Sequence, residues 1–498
     1  MGAYTIRGIS KWELSLAFLL IIGLGILAVL LGARNPVLSI TLTSVLLWGL
    51  AGLWKPRIAF FLFLALLPFV DFLKRLQLAF TAPSALEWNL VLASPDILLL
   101  SSALGVVLQR ALQGRLTVVL TRTDWWLLAF LASMLFSIFH SVFPVTVGMA
   151  VFKLSGLYIL IYFLAPALIA KRQHLRFLLG MSFVLSLVTA LYGMWQTVFG
   201  MTWFEKMWLT GGYTGQSIET IIYYVFRPFS TLSGPQAYAY YLVIGLTFGR
   251  MYVDSLGYRN KSKEIMCYVG ILVLVIALGL SLVRTALLFW GLIWLLSRYL
   301  PKIRLRYHPI MLLLIATSFT LILIYVLLRF GGPIQDRVSD FGIPFIRRAF
   351  TLGTLSDRLR GWQGAVSDSR FWTPLGYGLG TTSFTVMSKY GLTFDLFSHD
   401  EYTNILIEQG VIGLMLFLGF IISWMRRVVL NLQATQVPFL KKTGWILMGF
   451  SLSTLLVGLL GTNLKVSPVN VYFWLVVGLL ARSPMWRVEQ ILVGGKDA

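Results

Sequence analysis

Residues 398–402 read SHDEY and lead directly into the apolar run TNILIEQGVIGL, so a histidine, two carboxylates and a phenol stand at the mouth of a membrane-length segment. Of the four histidines in the chain, His399 is the one with a polar cluster around it. Polar neighbours packed around an imidazole leave a chemical role open to it. The plainer reading of His399 is a structural hydrogen-bonding residue.

Arg227, Arg284, Arg358 and Arg360 fall in segments that the topology derived below puts on the same side of the membrane as His399. A guanidinium stays charged at every relevant pH, and its planar fork donates paired hydrogen bonds that suit phosphate. Converging from separate loops, such residues would clamp a diphosphate; scattered, they are ordinary interfacial charges. Arg284 lies in LGLSLVRTALLFW, with almost no loop between two apolar stretches. It therefore either snorkels to the headgroups or binds an anion near the membrane boundary.

Glu408 stands about two helical turns inside the apolar run, so it is protonated, paired or facing a polar cavity. Lys153, entering its own apolar stretch from the same side, is a candidate partner. A helix starting near His399 puts His399, Tyr402, Thr403, Leu406, Gly410 and Gly413 on one face, and Glu401, Ile405, Glu408 and Ile412 on the adjacent one. The glycine face permits close helix approach.

The glycine-rich PLGYGLGTTSF, residues 374–384, lacks the Gly-Lys-Ser/Thr ending of a nucleotide-binding loop. A tight turn and a backbone nest facing a lipid diphosphate both stay open for it. The sequence has no Asp-x-Asp pair, and Asp400 and Glu401 are adjacent, which points them to different faces of a helix. A divalent metal site is unsupported, and no cofactor is expected.

These residues must be positioned by membrane helices. The 498 residues are 58% hydrophobic and only 12% charged, too little polar surface for a soluble globular protein. The hydropathy predicts an all-α polytopic integral membrane protein of about 12–14 transmembrane helices in a single membrane domain over 1–498. Fourteen candidate spans lie near 13–32, 36–53, 58–72, 95–112, 125–140, 148–170, 176–198, 235–252, 265–283, 285–298, 309–330, 403–425, 443–461 and 468–481.

The net charge of +22 raises the question of a nucleic-acid partner. With the N-terminus inside, inward segments hold most of the basic residues, among them Arg110, Arg122, Arg172, Arg250, Arg298, Arg426, Arg427 and Arg482, while short outward loops hold few, such as Arg34, Lys74, Arg75 and Lys465. The positive-inside rule then puts both termini in the cytoplasm and accounts for the charge without nucleic acid. The lone Cys267 excludes disulfides within the chain. The first span is long for a signal-peptide core and reads as a transmembrane helix.

Two outward segments are longer than a connection requires: 199–234, and 331–402, the larger, read as a partly helical extracytoplasmic loop capping the site. No internal repeat is visible.

Four blocks in order over 225–425 resemble the O-antigen ligase and polymerase superfamily, membrane glycosyltransferases that use polyprenyl-diphosphate-linked glycans. RPFSTLSGPQAYAYYL matches the family's Arg-led block and places Arg227; SLVRTALLFW places Arg284. DRLRGWQGAVSDSRFWTPLGYGLGTTSF places Arg358, and SHDEYTNILIEQGVIGL places His399, Tyr402 and Glu408. Gln236 and Asp400 stand where the family has Asn, and Thr403 where it has Leu.

The resemblance implies an enzyme of the bacterial cytoplasmic membrane, with its active site on the periplasmic face. It would transfer a polyprenyl-diphosphate-linked glycan donor to a hydroxyl of a lipid-linked or core-oligosaccharide acceptor, without metal, as ligase or polymerase in lipopolysaccharide or exopolysaccharide synthesis. Arg227, Arg284 and Arg358, with Arg360, would hold the diphosphate, and His399 or Glu401 would act on the acceptor. The rival is a solute transporter, since similar proteins are linked to bicarbonate uptake; related halves, broken helices and charges at the bilayer midplane would favour it.

Overall fold

The computed structural model describes residues 35–114, 119–210, 221–222, 225–256, 261–302, 362, 364, 367–383, 387, 391–392, 396, 400–483 and 485. In chain order its helices are α1 (Pro36–Trp54), α2 (Pro56–Leu66), α3 (Val70–Phe80), α4 (Ala85–Leu112), α5 (Arg122–Phe139), α6 (Val145–Ser155), α7 (Leu160–Leu168) and α8 (Arg172–Phe199). They continue as α9 (Trp203–Thr210), α10 (Pro235–Leu256), α11 (Lys261–Leu280), α12 (Arg284–Tyr299), α13 (Glu401–Ala434), α14 (Pro438–Val457) and α15 (Val469–Arg482). Among the described residues the strands are one small antiparallel hairpin, β1 (Ile221–Ile222) and β2 (Val225–Phe226), with Ile221 opposite Phe226.

Seven helical stretches among the described residues are long and apolar enough to cross a membrane: Pro36–Trp54, Pro56–Phe80, Ala85–Leu112, Val145–Leu168, Arg172–Phe199, Lys261–Leu280 and Glu401–Ala434. Leu104, Phe136, Leu191, Leu272, Trp294 and Met415 turn outward and are exposed. An apolar exterior of this kind suits a lipid surround. The expected spans near 13–32 and 309–330, and most of the 331–402 segment, lie outside the described residues.

Several boundaries move for local reasons. The span expected at 95–112 starts ten residues earlier, at Ala85, because Ser84 and Glu87 close a capping box: Glu87 Oε2 accepts from Ser84 N–H at 2.7 Å and Ser84 Oγ from Glu87 N–H at 3.3 Å. Pro95 sits inside it. The span expected at 403–425 runs on to Ala434.

The chain divides into two compact units, one of residues 1–116 with 201–211 and one of 117–200 with 212–498. In the first, α1 and α2 pack on α4, and α9 packs on α3. Arg75, read above as an outward loop charge, is fully buried in α3, its Nη1 3.1 Å from Glu205 Oε1 and its Nε donating to the Asp71 carbonyl at 3.1 Å. The Trp208 ring lies 5.2 Å from the guanidinium carbon. The 199–234 segment thus begins with a helix whose carboxylate pairs with a buried arginine.

In the second unit α8 packs on α10, α12 on α14, α5 on α13 and α7 on α15. The α15 helix is buried from Val469 to Ala481 and apolar there but for Asn470, as suits an interior helix. Gly478 lets it approach α7 closely: a side chain there would strike the Tyr162 carbonyl. At one end of this unit Arg482 pairs with Asp124 at 2.7 Å, and Arg427 donates to the Ala481 carbonyl at 2.7 Å. The site lies at the other end, where α13 and α15 begin and α14 stops.

Candidate functional site

The α13 helix is broken. Gly410 has φ 70° and ψ −170°, which ends a short half-helix at Gln409 and starts a longer one at Val411. An unbroken helix would satisfy the Ile407 and Glu408 carbonyls with the Val411 and Ile412 N–H groups. Here the loop 373–382 takes both sets. Tyr377 N–H donates to Ile407 O at 2.8 Å and Gly378 N–H to Glu408 O at 3.0 Å, while Val411 and Ile412 donate to the Thr373 and Pro374 carbonyls at 3.0 and 3.2 Å. These four backbone groups released by the break all find partners, as burial in a membrane protein demands.

The glycines of PLGYGLGTTSF make this insertion feasible. Gly376, Gly378 and Gly380 all have positive φ, and a Cβ on Gly378 would collide with the Ser141 backbone, one on Gly410 with the Pro374 carbonyl. The loop is further held by Leu379 N–H on Ser137 O at 3.1 Å and by Val142 N–H on Tyr377 O at 2.9 Å, which tie it to the end of α5.

The N–H groups of this loop answer the nest question. Those of Tyr377, Gly378, Leu379, Gly380 and Thr382 all have acceptors within the chain, the last two on Glu408 Oε1 at 3.2 and 3.4 Å. The nest binds the protein's own carboxylate, not a diphosphate. Glu408 Oε1 also accepts from the Thr382 hydroxyl at 2.7 Å, and Glu408 Oε2 lies 2.9 Å from Lys465 Nζ, which itself donates to Thr382 Oγ1 at 3.0 Å.

Glu408 is therefore paired with a lysine and hydrogen-bonded through both oxygens, a structural pin. The cation on it is Lys465, from the short 3₁₀ turn Asn463–Lys465 between α14 and α15. Lys153, the partner expected from sequence, lies half-buried in the last turn of α6. Removing only the hydroxyl, as in Thr382→Val, should lower stability by about 2 kcal/mol, the worth of a buried hydrogen bond to a charged acceptor; unfolding of the purified protein in denaturant measures it.

Glu401 differs in kind. It is the first residue of α13 and is buried; its N–H donates to the Gly458 carbonyl at 2.8 Å and its Oε2 accepts from Leu464 N–H at 3.1 Å. Its other oxygen takes no hydrogen bond among the described residues. Glu401, Asn404 and Glu408, at i, i+3 and i+7, share the face that meets the 463–465 turn. The sequence grouping of Glu401 with Glu408 holds; its extension past Gly410 to Ile412 and Gly413 does not, because the break resets the helical phase.

Asn404 Oδ1 and Asn463 Oδ1 are buried acceptors without a donor among the described residues. Beside the latter, a Cβ placed on Gly461 would lie 3.7 Å from Asn463 Oδ1 and 3.4 Å from Gln236 Nε2, so the start of α10 reaches the same turn. Buried acceptors next to a carboxylate with a spare oxygen are groups that hydroxyl donors would satisfy.

Asp400 is the N-cap of α13, accepting from Thr403 N–H at 2.8 Å, a task at which Asp and Asn are equivalent. Tyr402 donates its hydroxyl to the Leu455 carbonyl at 2.9 Å and fastens α13 to α14. Arg227 is half-buried directly after β2. The chain after it is fixed on α8 by Gln196 Oε1, which accepts from Phe229 N–H at 3.2 Å and Ser230 N–H at 2.7 Å.

Arg284 is the exposed first residue of α12. His399, Arg358 and Arg360 lie outside the described residues. Arg370, near the loop, is taken by Asp368, whose carboxyl its hydrogen bonds hold below the usual carboxylate range. Comparison with protein-family models, with curated proteins and with solved structures finds no match to this chain.

Thr382, Asn404 and Asn463 were not singled out by sequence, and Lys465 only as an outward-loop charge. TNLKVSP held one weak signal, a lysine in a very short outward loop between apolar segments.

Proposed function

We propose that the protein is a membrane glycosyltransferase that transfers a polyprenyl-diphosphate-linked glycan to an acceptor sugar hydroxyl at the outer face of the cytoplasmic membrane, with both termini in the cytoplasm. The observation that carries this reading is the Glu401 carboxylate, with one oxygen unbonded among the described residues, beside the Asn404 and Asn463 acceptors, likewise unfilled among those residues, at a helix end reached by the segments after Arg227 and before α15. The four sequence blocks over 225–425 support it independently.

In the proposed reaction the acceptor oxygen forms a bond to the anomeric carbon as the bond from that carbon to the diphosphate oxygen breaks. The electron pair leaves with the diphosphate, whose growing charge Arg227, Arg284, Arg358 and Arg360 stabilise. The acceptor proton passes to His399, or to Glu401 in its place. Asn404 and Asn463 accept hydrogen bonds from neighbouring hydroxyls of the acceptor sugar and set its orientation. Glu408 and Lys465 keep the half-helix in place.

Glu401→Gln is expected to lower transfer about 100-fold or more, His399→Ala by a similar factor, and Arg284→Ala by about 100-fold, all with normal membrane insertion. Cellular glycan measured by gel and lectin blot tests this. Wild-type glycan in either His399→Ala or Arg284→Ala would sink the assignment.

One observation favours the transport reading. The interrupted α13, with a buried ion pair beside the break, is a feature of secondary transporters. Uptake of labelled bicarbonate into vesicles carrying the protein, abolished by Lys465→Met, would establish that alternative.

A further inference from the structure

At the opposite end of the second unit, a groove of about 460 Å³ opens between α5 and α13, lined by Leu120, Arg122, Trp125, Trp126, Ala129 and Leu416. The two helices are held together beside it: Thr123 Oγ1 lies 2.9 Å from Ser423 Oγ, and Trp126 packs over Gly419. Leu416, Gly419 and Ser423 follow at i, i+3 and i+7, so α13 turns one face to α5, and Arg426 continues that face by a further three residues.

Among the described residues the charge of this groove is not balanced. Arg122 is exposed and makes no ion pair or hydrogen bond among the described residues, and the same holds for Arg426. Asp124, the nearest carboxylate in sequence, is already committed: it accepts from Thr121 N–H at 2.7 Å, from the Tyr162 hydroxyl at 2.7 Å, and pairs with Arg482 at 2.7 Å. It is fully buried, away from solvent.

We infer that this groove is a binding site for one anionic phospholipid. An acyl chain lies along Ala129 and Leu416 between the two tryptophans, and the phosphate meets Arg122, with Arg426 adding charge at headgroup level. Trp125 is 61% exposed, and an indole at the rim of an apolar groove has the amphipathic character that suits the membrane interface. A zwitterionic lipid would fill the same volume but leave the two arginines uncompensated, so headgroup charge decides the preference.

The test is native mass spectrometry of the full chain, purified and delipidated in neutral detergent, titrated with phosphatidylglycerol and with phosphatidylcholine of identical chains. The wild type should retain phosphatidylglycerol about five-fold more tightly, and Arg122→Gln should remove most of that preference, the scale set by one arginine at an anionic surface. Ala129→Trp, which fills the groove, should weaken retention of both lipids. Arg57→Gln, in the other unit, should change neither. Equal retention of the two lipids by the wild type, or an equal loss of preference in Arg57→Gln and Arg122→Gln, would overturn the site.

Discussion

Lys465→Met should destabilise the protein by about 3 kcal/mol, because it leaves the Glu408 carboxylate buried with no counter-charge. Glu408 is 1% exposed and Lys465 16%, so water cannot replace the lost ammonium on the carboxylate. The double variant Lys465→Met with Glu408→Met removes both charges and should recover a large part of the loss. A double-mutant cycle by denaturant unfolding would then give a coupling of about 2 kcal/mol. A single variant within about 0.5 kcal/mol of wild type would show that the pair does not hold the half-helix against the 463–465 turn.

The second large effect is expected at the break itself. Gly410→Ala places a side chain at φ 70° and drives it into the Pro374 carbonyl; Gly378→Ala drives one into the Ser141 backbone. Neither obstacle is a movable side-chain end, so each variant should cost about 3 kcal/mol or fail to accumulate as folded protein. Gly279→Ala in α11, where a Cβ meets nothing within 4 Å, is the matched control and should be neutral. If all three variants behave alike in thermal unfolding, the loop does not occupy the break.

These two expectations mark where sequence reasoning stopped. Segments such as Pro36–Trp54 and Arg172–Phe199 were legible because hydropathy over about 20 residues is a local property. The Glu401 and Glu408 face was legible for the same reason, since helical periodicity over seven residues needs no knowledge of the partner. The break was not. Gly410, Gly413 and Gly419 occur in one helix, yet the last two only admit neighbours, Gln409 and Trp126, while the first interrupts the helix to receive a loop from 373–382.

A glycine's role there depends on what packs against it, which the sequence does not carry. Lys465 pairs with a carboxylate 57 positions away, and Arg75 with one 130 positions away. Nothing in either segment announces its partner. Both were read as outer-loop charges because positive-inside counting assigns a side, not a depth. The glycine-rich loop misled in a more specific way. Its N–H groups do form an anion-binding concavity, and the anion is the chain's own Glu408.

The most direct test of the central claim is glycan transfer by the purified protein in vitro. Polyprenyl-diphosphate-linked glycan would be incubated with it and with either a core-lipid acceptor or a second lipid-linked repeat, in buffer containing a metal chelator. The proposal predicts product with one of the two acceptors, reduced about 100-fold or more in Glu401→Gln. Product with neither acceptor, together with solute uptake by vesicles containing the same preparation, would contradict it.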